Sequence, residues 1–220
     1  GSFENLDEKA AGKAIHYTVK EENVPEGYTL SIDDKDPAHP ILTNKHEPTV
    51  TQVKVTKKWE DANNQDGLRP KEIQVQLYAG DQEVGEKVVL SADNKWTHTF
   101  TKLPEKANGE IIHYSVKEVE VPKGYTVTEE IQEKGDFVLT NTHTPSTVDI
   151  PVMKIWDDND NQDGLRPAKI TVNLYANGKK VAHKDITSET DWRETFTGLP
   201  EFKDGKKIVY TLQEERVENY

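Results

Sequence analysis

The sequence contains no cysteine, so neither disulfides nor thiolate metal sites can hold the fold together, and a small extracellular domain would need some other staple. Hydrophobic residues are also scarce. At 33% of the chain against 31% charged, they suit small domains with thin cores and wide solvated surfaces better than one large enzyme core. Positive charge is in deficit: 28 basic against 40 acidic residues leave a formal charge of −12. Such a chain repels a phosphate backbone and an anionic lipid surface, which argues against nucleic acid and membrane as partners. No apolar run approaches the roughly 20 residues of a membrane span, and no signal peptide is visible. The opening Gly1-Ser2 resembles a cloning remnant, so export and anchoring signals are expected to lie outside this stretch.

What is present is repetition. VTKKWEDANNQDGLRP at residues 55–70 returns as VMKIWDDNDNQDGLRP at 152–167, and the interval from Lys57 to Lys154 is 97 residues. IIHYSVKEVEVPKGY from Ile111 resembles AIHYTVKEENVPEGY from Ala14 and returns as IVYTLQEERVENY from Ile208; FVLTNTHTP from Phe137 echoes PILTNKHEP from Pro40. Repetition at this length implies copies of one domain placed head to tail. The frame predicts the C-terminal part of a first copy over 1–47, a complete unit over 48–146 and the N-terminal part of a third over 147–220.

Within the complete unit the hydrophobic period is two. Val53, Val55, Lys57 and Trp59 share one face of a strand; Ile73, Val75 and Leu77 line another, with Gln74, Gln76 and Tyr78 opposite. Trp96–Phe100, Tyr114–Glu118 and Phe137–Asn141 alternate too, and turns such as Asn64-Gln-Asp-Gly67 and Pro122-Lys-Gly124 separate the runs. Short strands with this punctuation and no helix-length amphipathic run predict an all-β fold: tandem antiparallel β-sandwiches of immunoglobulin-like type.

Three polar side chains then stand out. Lys57 falls between Val55 and Trp59 on an inward face, where an ammonium must find a partner or give up its proton. Glu118 follows Tyr114 and Val116 at the strand period, and Asn141 follows Phe137 and Leu139. On spacing alone they could form a buried ion pair with an amide, since buried polar groups are usually paired. Alternatively, the lysine amine could attack the asparagine carboxamide.

The motif Tyr-x-Val-x-Glu-x-x-x-Pro-x-Gly-Tyr (Tyr114 to Tyr125), the opening Val-x-Lys-x-Trp with Asp-Gly-x-Arg-Pro (Val55 to Pro70) and the closing Leu-Thr-Asn (Leu139 to Asn141) resemble the collagen-adhesin B-type (Cna B) repeat domains of Gram-positive cell-wall-anchored surface proteins. That resemblance covers nearly the whole chain and implies reverse immunoglobulin-like sandwiches with an intramolecular Lys–Asn isopeptide bond beside a catalytic acid. Carried over by motif, Lys57 is the nucleophile, Asn141 the acceptor and Glu118 the acid. A desolvated lysine can present a neutral amine and a desolvated carboxylic acid holds its proton, so the pair suits the chemistry. The reaction needs no cofactor and happens once per molecule, so the chain is not an enzyme in the turnover sense. The first copy keeps Glu21 and Asn44 without a lysine strand, and the third keeps Lys154 and Glu214 without an asparagine strand, so neither can close its own bond.

The resemblance further implies an extracellular stalk on the bacterial cell wall, with neighbouring repeats as partners, a host extracellular-matrix protein engaged by a separate head domain, and a part in adhesion and virulence. The alternatives are a module that itself binds a matrix protein or glycan, and a pilus backbone subunit. Strand complementation between the partial copies of two chains is a further expectation. Other signals are set aside. Asp158 to Gly164 resembles a calcium loop, but its glycine falls one place late and no glutamate closes it. His16 with His113, and His46 with His143, are equivalent positions in successive copies, so no metal site is expected. The tryptophans Trp59, Trp96, Trp156 and Trp192 form two repeated pairs and are expected in the core.

Overall fold

Alternating side chains make strands, and strands are what the chain forms. The computed structural model describes all residues except Glu133, Lys134 and Asn219. Among the described residues there is no α-helix; the one helical turn is a 3-10 turn at Ser188–Thr190. Among the same residues no helix is long and apolar enough to cross a membrane.

Contacts group the chain into two compact units, Gly1–Thr51 with Thr101–Ile112, and Gln52–Phe100 with His113–Tyr220. The first unit holds a hairpin of β1 (Thr29–Asp33) and β2 (Ile41–Lys45), in which Leu30 faces Asn44. It also holds two minimal ladders, Lys9–Ala10 with Lys13–Ala14 and Lys106–Ala107 with Glu110–Ile111. Leu103 is its one buried apolar side chain among the described residues.

The complete repeat is built from β3 (Val50–Glu60), β4 (Glu72–Ala79), β5 (Gln82–Ser91), β6 (Thr97–Pro104), β7 (Tyr114–Glu118), β8 (Thr126–Ile131) and β9 (Phe137–Thr142). These form a three-stranded sheet in the order β7-β4-β5 and a four-stranded sheet in the order β8-β9-β3-β6. Val55, Val75, Leu90, Val116 and Leu139 are fully buried, so the inward faces anticipated from alternation do form the core.

Three features depart from a plain antiparallel sandwich. The first and last strands, β3 and β9, pair in parallel, with Leu139 opposite Lys57 and Asn141 opposite Trp59. Gln76, expected on the outer face, is buried: a register shift between Val75 and Leu77 brings its amide over the β5 backbone, and Nε2 donates to the carbonyls of Leu77 and Val84 at 3.0 and 3.1 Å. The strand expected from Trp96 begins at Thr97, because Lys95 and Trp96 adopt left-handed φ of 56° and 59° in the β5–β6 turn.

The third copy repeats the plan with β10 (Thr147–Met153), β11 (Lys169–Ala176), β12 (Lys179–Thr187), β13 (Arg193–Pro200) and β14 (Tyr210–Glu214), in sheets β10-β13 and β12-β11-β14. Ile170, Val172 and Ile186 form its core, with Val152, Trp156, Trp192 and Val217 packed against them.

Candidate functional site: a buried lysine, glutamate and asparagine

Lys57 reaches the interior from β3 and Asn141 from its parallel neighbour β9, while Glu118 ends β7 in the opposing sheet. The carboxyl group therefore closes over two groups that the other sheet holds side by side. Lys57 Nζ lies 3.4 Å from Glu118 Oε2, with side-chain exposures of 0% and 1%. It also donates to the Leu139 carbonyl at 3.3 Å and sits 4.6 Å from the centre of the Trp59 ring. Asn141 Nδ2 donates to Glu118 Oε1 at 2.9 Å, and Asn141 is fully buried. Glu118 Oε2 and Asn141 Oδ1 are buried without a hydrogen-bond partner.

The electrostatics follow from that burial. Desolvation pushes the Lys57 ammonium down to about 8, against the opposing pull of the Glu118 carboxylate. A neutral amine is thus accessible near physiological pH, beside an amide whose nitrogen is already hydrogen-bonded to a carboxyl group. That arrangement can transfer an acyl group from nitrogen to nitrogen.

The partial copies hold half-sites. In the first, Asn44 Nδ2 donates to both Glu21 oxygens at 3.0 Å, in the open. In the third, Lys154 Nζ meets Glu214 at 3.0 Å and stands 4.5 Å from the Trp156 ring centre, its side chain 20% exposed. Each pair named from the sequence is brought together.

A second polar cluster was not assigned from the sequence. Ala62, Asn63 and Asn64 run through three successive left-handed residues, φ 49°, 60° and 60°, a conformation that costs about 1–2 kcal/mol per residue outside glycine. Asp61 holds them: its Oδ1 accepts the Asn64 N–H at 2.9 Å and its backbone carbonyl accepts from Gln65. Arg69 binds the same carboxylate in fork fashion at 2.6 and 3.0 Å, and the Tyr125 hydroxyl donates to it at 2.8 Å. Burial pushes this carboxyl up, but the donors outweigh it and hold Asp61 at about 2. The third copy rebuilds the cluster with Asp158, Asn161, Arg166 and Tyr220. The Asp158 oxygens that suggested a calcium loop are therefore occupied by protein donors. The recurrence of Asp and Arg eight residues apart in both copies was the available signal.

The tryptophans, expected in the core, are only partly buried; they stack edge to face in pairs at its margin, Trp59 with Trp96 at 5.2 Å and Trp156 with Trp192 at 5.0 Å.

Immunoglobulin-like sandwich repeats in tandem, with a lysine, a glutamate and an asparagine converging inside the complete one, define a class of all-β repeat proteins. Within that class, the chain belongs to the Cna protein B-type domain family, whose profile matches residues 1–45, 53–142 and 150–220. It is similar to a collagen adhesin of Staphylococcus aureus, 46% identical over 218 residues, a match that takes in 99% of this chain and 18% of that protein. It also resembles the crystal structure of two B repeat units of the collagen-binding protein of Staphylococcus aureus, at 45% identity and a TM-score of 0.74, covering 99% of this chain and 57% of that one. The chain thus spans only part of the relatives it matches.

Proposed function

We propose that this chain is a stalk segment of a Gram-positive surface adhesin, displayed outside the cell wall, whose complete repeat staples itself with an amide between Lys57 and Asn141. The observation that carries the staple is the placement of Asn141 Nδ2, the leaving nitrogen, 2.9 Å from Glu118 Oε1 while Lys57 Nζ lies 3.4 Å from the other oxygen of the same carboxyl group.

The neutral Lys57 amine attacks Asn141 Cγ. The Nζ–Cγ bond forms and the Cγ–Nδ2 bond breaks. Glu118 relays a proton from Nζ to Nδ2, which leaves as ammonia. Folding supplies the proximity, an effect of about 7–11 kcal/mol for well-aligned groups. No cofactor takes part and the step occurs once, so the chain acts as its own substrate rather than as an enzyme.

A stalk needs stiffness more than a binding face, and the paired, partly buried tryptophans support that use over a sugar-binding platform. The matching adhesin of Staphylococcus aureus is named for collagen; in this chain's parent we place matrix recognition in a separate head domain. Intact-mass spectrometry tests the staple: the native chain should be lighter than its sequence by about 17 Da, one ammonia. Lys57→Ala and Glu118→Ala should each lack that deficit, and a native chain of full sequence mass sinks the reading.

A further inference from the structure

Ser146 leads into β10 and its peptide is held from both sides. Its N–H donates to Asp66 Oδ2 of the complete repeat at 2.8 Å, and its carbonyl accepts from Glu201 N–H of the following repeat at 2.9 Å. The same Asp66 oxygen meets His143 Nε2 at 3.0 Å, and His143 Nδ1 lies 2.8 Å from the Gly124 carbonyl. A carbonyl and a carboxylate only accept, so His143 satisfies both as the imidazolium, with both ring nitrogens donating. The Asp66 and His143 side chains are 4% and 12% exposed.

One residue along the turn, the backbones of two repeats touch. Gly205 N–H donates to the Gln65 carbonyl at 3.0 Å. A Cβ on Gly67 would fall 2.5 Å from Gly205 Cα, and one on Gly205 would fall 3.1 Å from Gly67 Cα. The contact exists because neither residue has a side chain.

We propose that the Asn64–Gly67 turn is a docking surface whose partner is the next repeat of the same chain, receiving that repeat's Asp204–Gly205 turn and the junction residue Ser146 that leads into it, so that consecutive repeats are held at one angle. This deepens the stalk reading, on which its purpose rests. Sequence and geometry recur where they should. The turn Asn-Gln-Asp-Gly is repeated at Asn161–Gly164. Within the first unit, the Thr49 carbonyl accepts from Glu105 N–H at 3.1 Å, as Ser146 does from Glu201, and His46 Nδ1 lies 2.8 Å from the Gly27 carbonyl, as His143 does from Gly124.

The chain lacks cysteine, so spin labels can be attached cleanly at Glu86→Cys and Lys179→Cys, exposed positions on the two repeats. Double electron–electron resonance should give one narrow distance peak for the otherwise native chain. Gly67→Ala should split or shift that peak, and Asp66→Asn or His143→Gln should broaden it. Gly164→Ala is the control: its φ of 65° imposes the same backbone strain as the 72° of Gly67, yet no described residue lies within 4 Å of the added methyl, so the peak should stay. Near-ultraviolet circular dichroism of the tryptophans checks folding, and if Gly67→Ala unfolds, Gly205→Ala carries the comparison. A broad native distribution, or a peak unmoved by both alanines, overturns the docking surface. The ammonia mass deficit read on the same samples reports the staple separately, so failure of one is not mistaken for failure of the other.

Discussion

Glu118 and Asn141 come from different sheets, and the carboxyl oxygen of one accepts the amide N–H of the other at 2.9 Å across the core. In the proposed reaction the contact matters because it sets the carboxyl group that relays the proton beside the leaving nitrogen. It also implies that the site exists only after the sheets have packed, so bond formation should follow folding.

The rate of cross-linking should therefore rise with pH through about 8, where Lys57 loses its proton in the folded state. Refolding a denatured, uncross-linked chain at several pH values and timing the ammonia loss by mass checks this. The sign for stability runs the same way in any variant that keeps Lys57 but cannot react. The unfolded lysine binds its proton up to about 10.5 while the folded one has released it, so stability rises as pH climbs from about 8 towards 10.5. Asn141→Ala is a suitable background for that measurement.

Mechanical behaviour should change with the bond. Load enters the complete repeat at the start of β3 and leaves at the end of β9, and a bond from Lys57 to Asn141 shields the 84-residue interval between them. Single-molecule extension of the native chain should lack the step, on the order of 280 Å, that unravelling this interval releases. Glu118→Gln, expected to fold without cross-linking, should show the step.

Closing a loop of that size should raise stability by about 4–5 kcal/mol on a chain-entropy argument. Comparing denaturant midpoints of the native chain and Glu118→Gln measures the difference, with the third repeat as an internal reference because it lacks an acceptor asparagine. Replacing Lys154 with alanine should leave the mass deficit at one ammonia.

The Asp61 cluster should set the acid limit of the complete repeat. Its carboxyl is depressed to about 2 in the fold, so its contribution is complete above the ordinary value of 3.8 and is lost as pH falls from there towards 2. The depression corresponds to about 2 kcal/mol. Arg69→Ala, which leaves a buried carboxylate without its cation, should cost about 3 kcal/mol in thermal or urea unfolding at neutral pH. Arg69→Lys should recover only part, since an ammonium cannot supply the fork.

How much of this was legible in the residues differs from element to element. Val53, Val55, Lys57 and Trp59 announced their face because side chains alternate along a strand, and β7 and β9 did so for Glu118 and Asn141. Gln76 broke the rule, since a bulge moves a side chain without leaving a mark in hydrophobic pattern. Trp96 misled about the start of β6 because a bulky residue in a left-handed turn is uncommon and carries no composition signal.

By itself, the sequence determined the repeat, its period of about 97 residues, the all-strand character and the inward placement of Lys57, Glu118 and Asn141, because these rest on local alternation and on self-similarity along the chain. The tertiary structure alone decided that β3 and β9 lie parallel, that Glu118 arrives from the opposite sheet, that Asp61 gathers Arg69 and Tyr125, and that Gly67 meets Gly205. Alternation says which way a side chain points; what it meets there is settled by pairings between distant strands, and those depend on how the whole core closes.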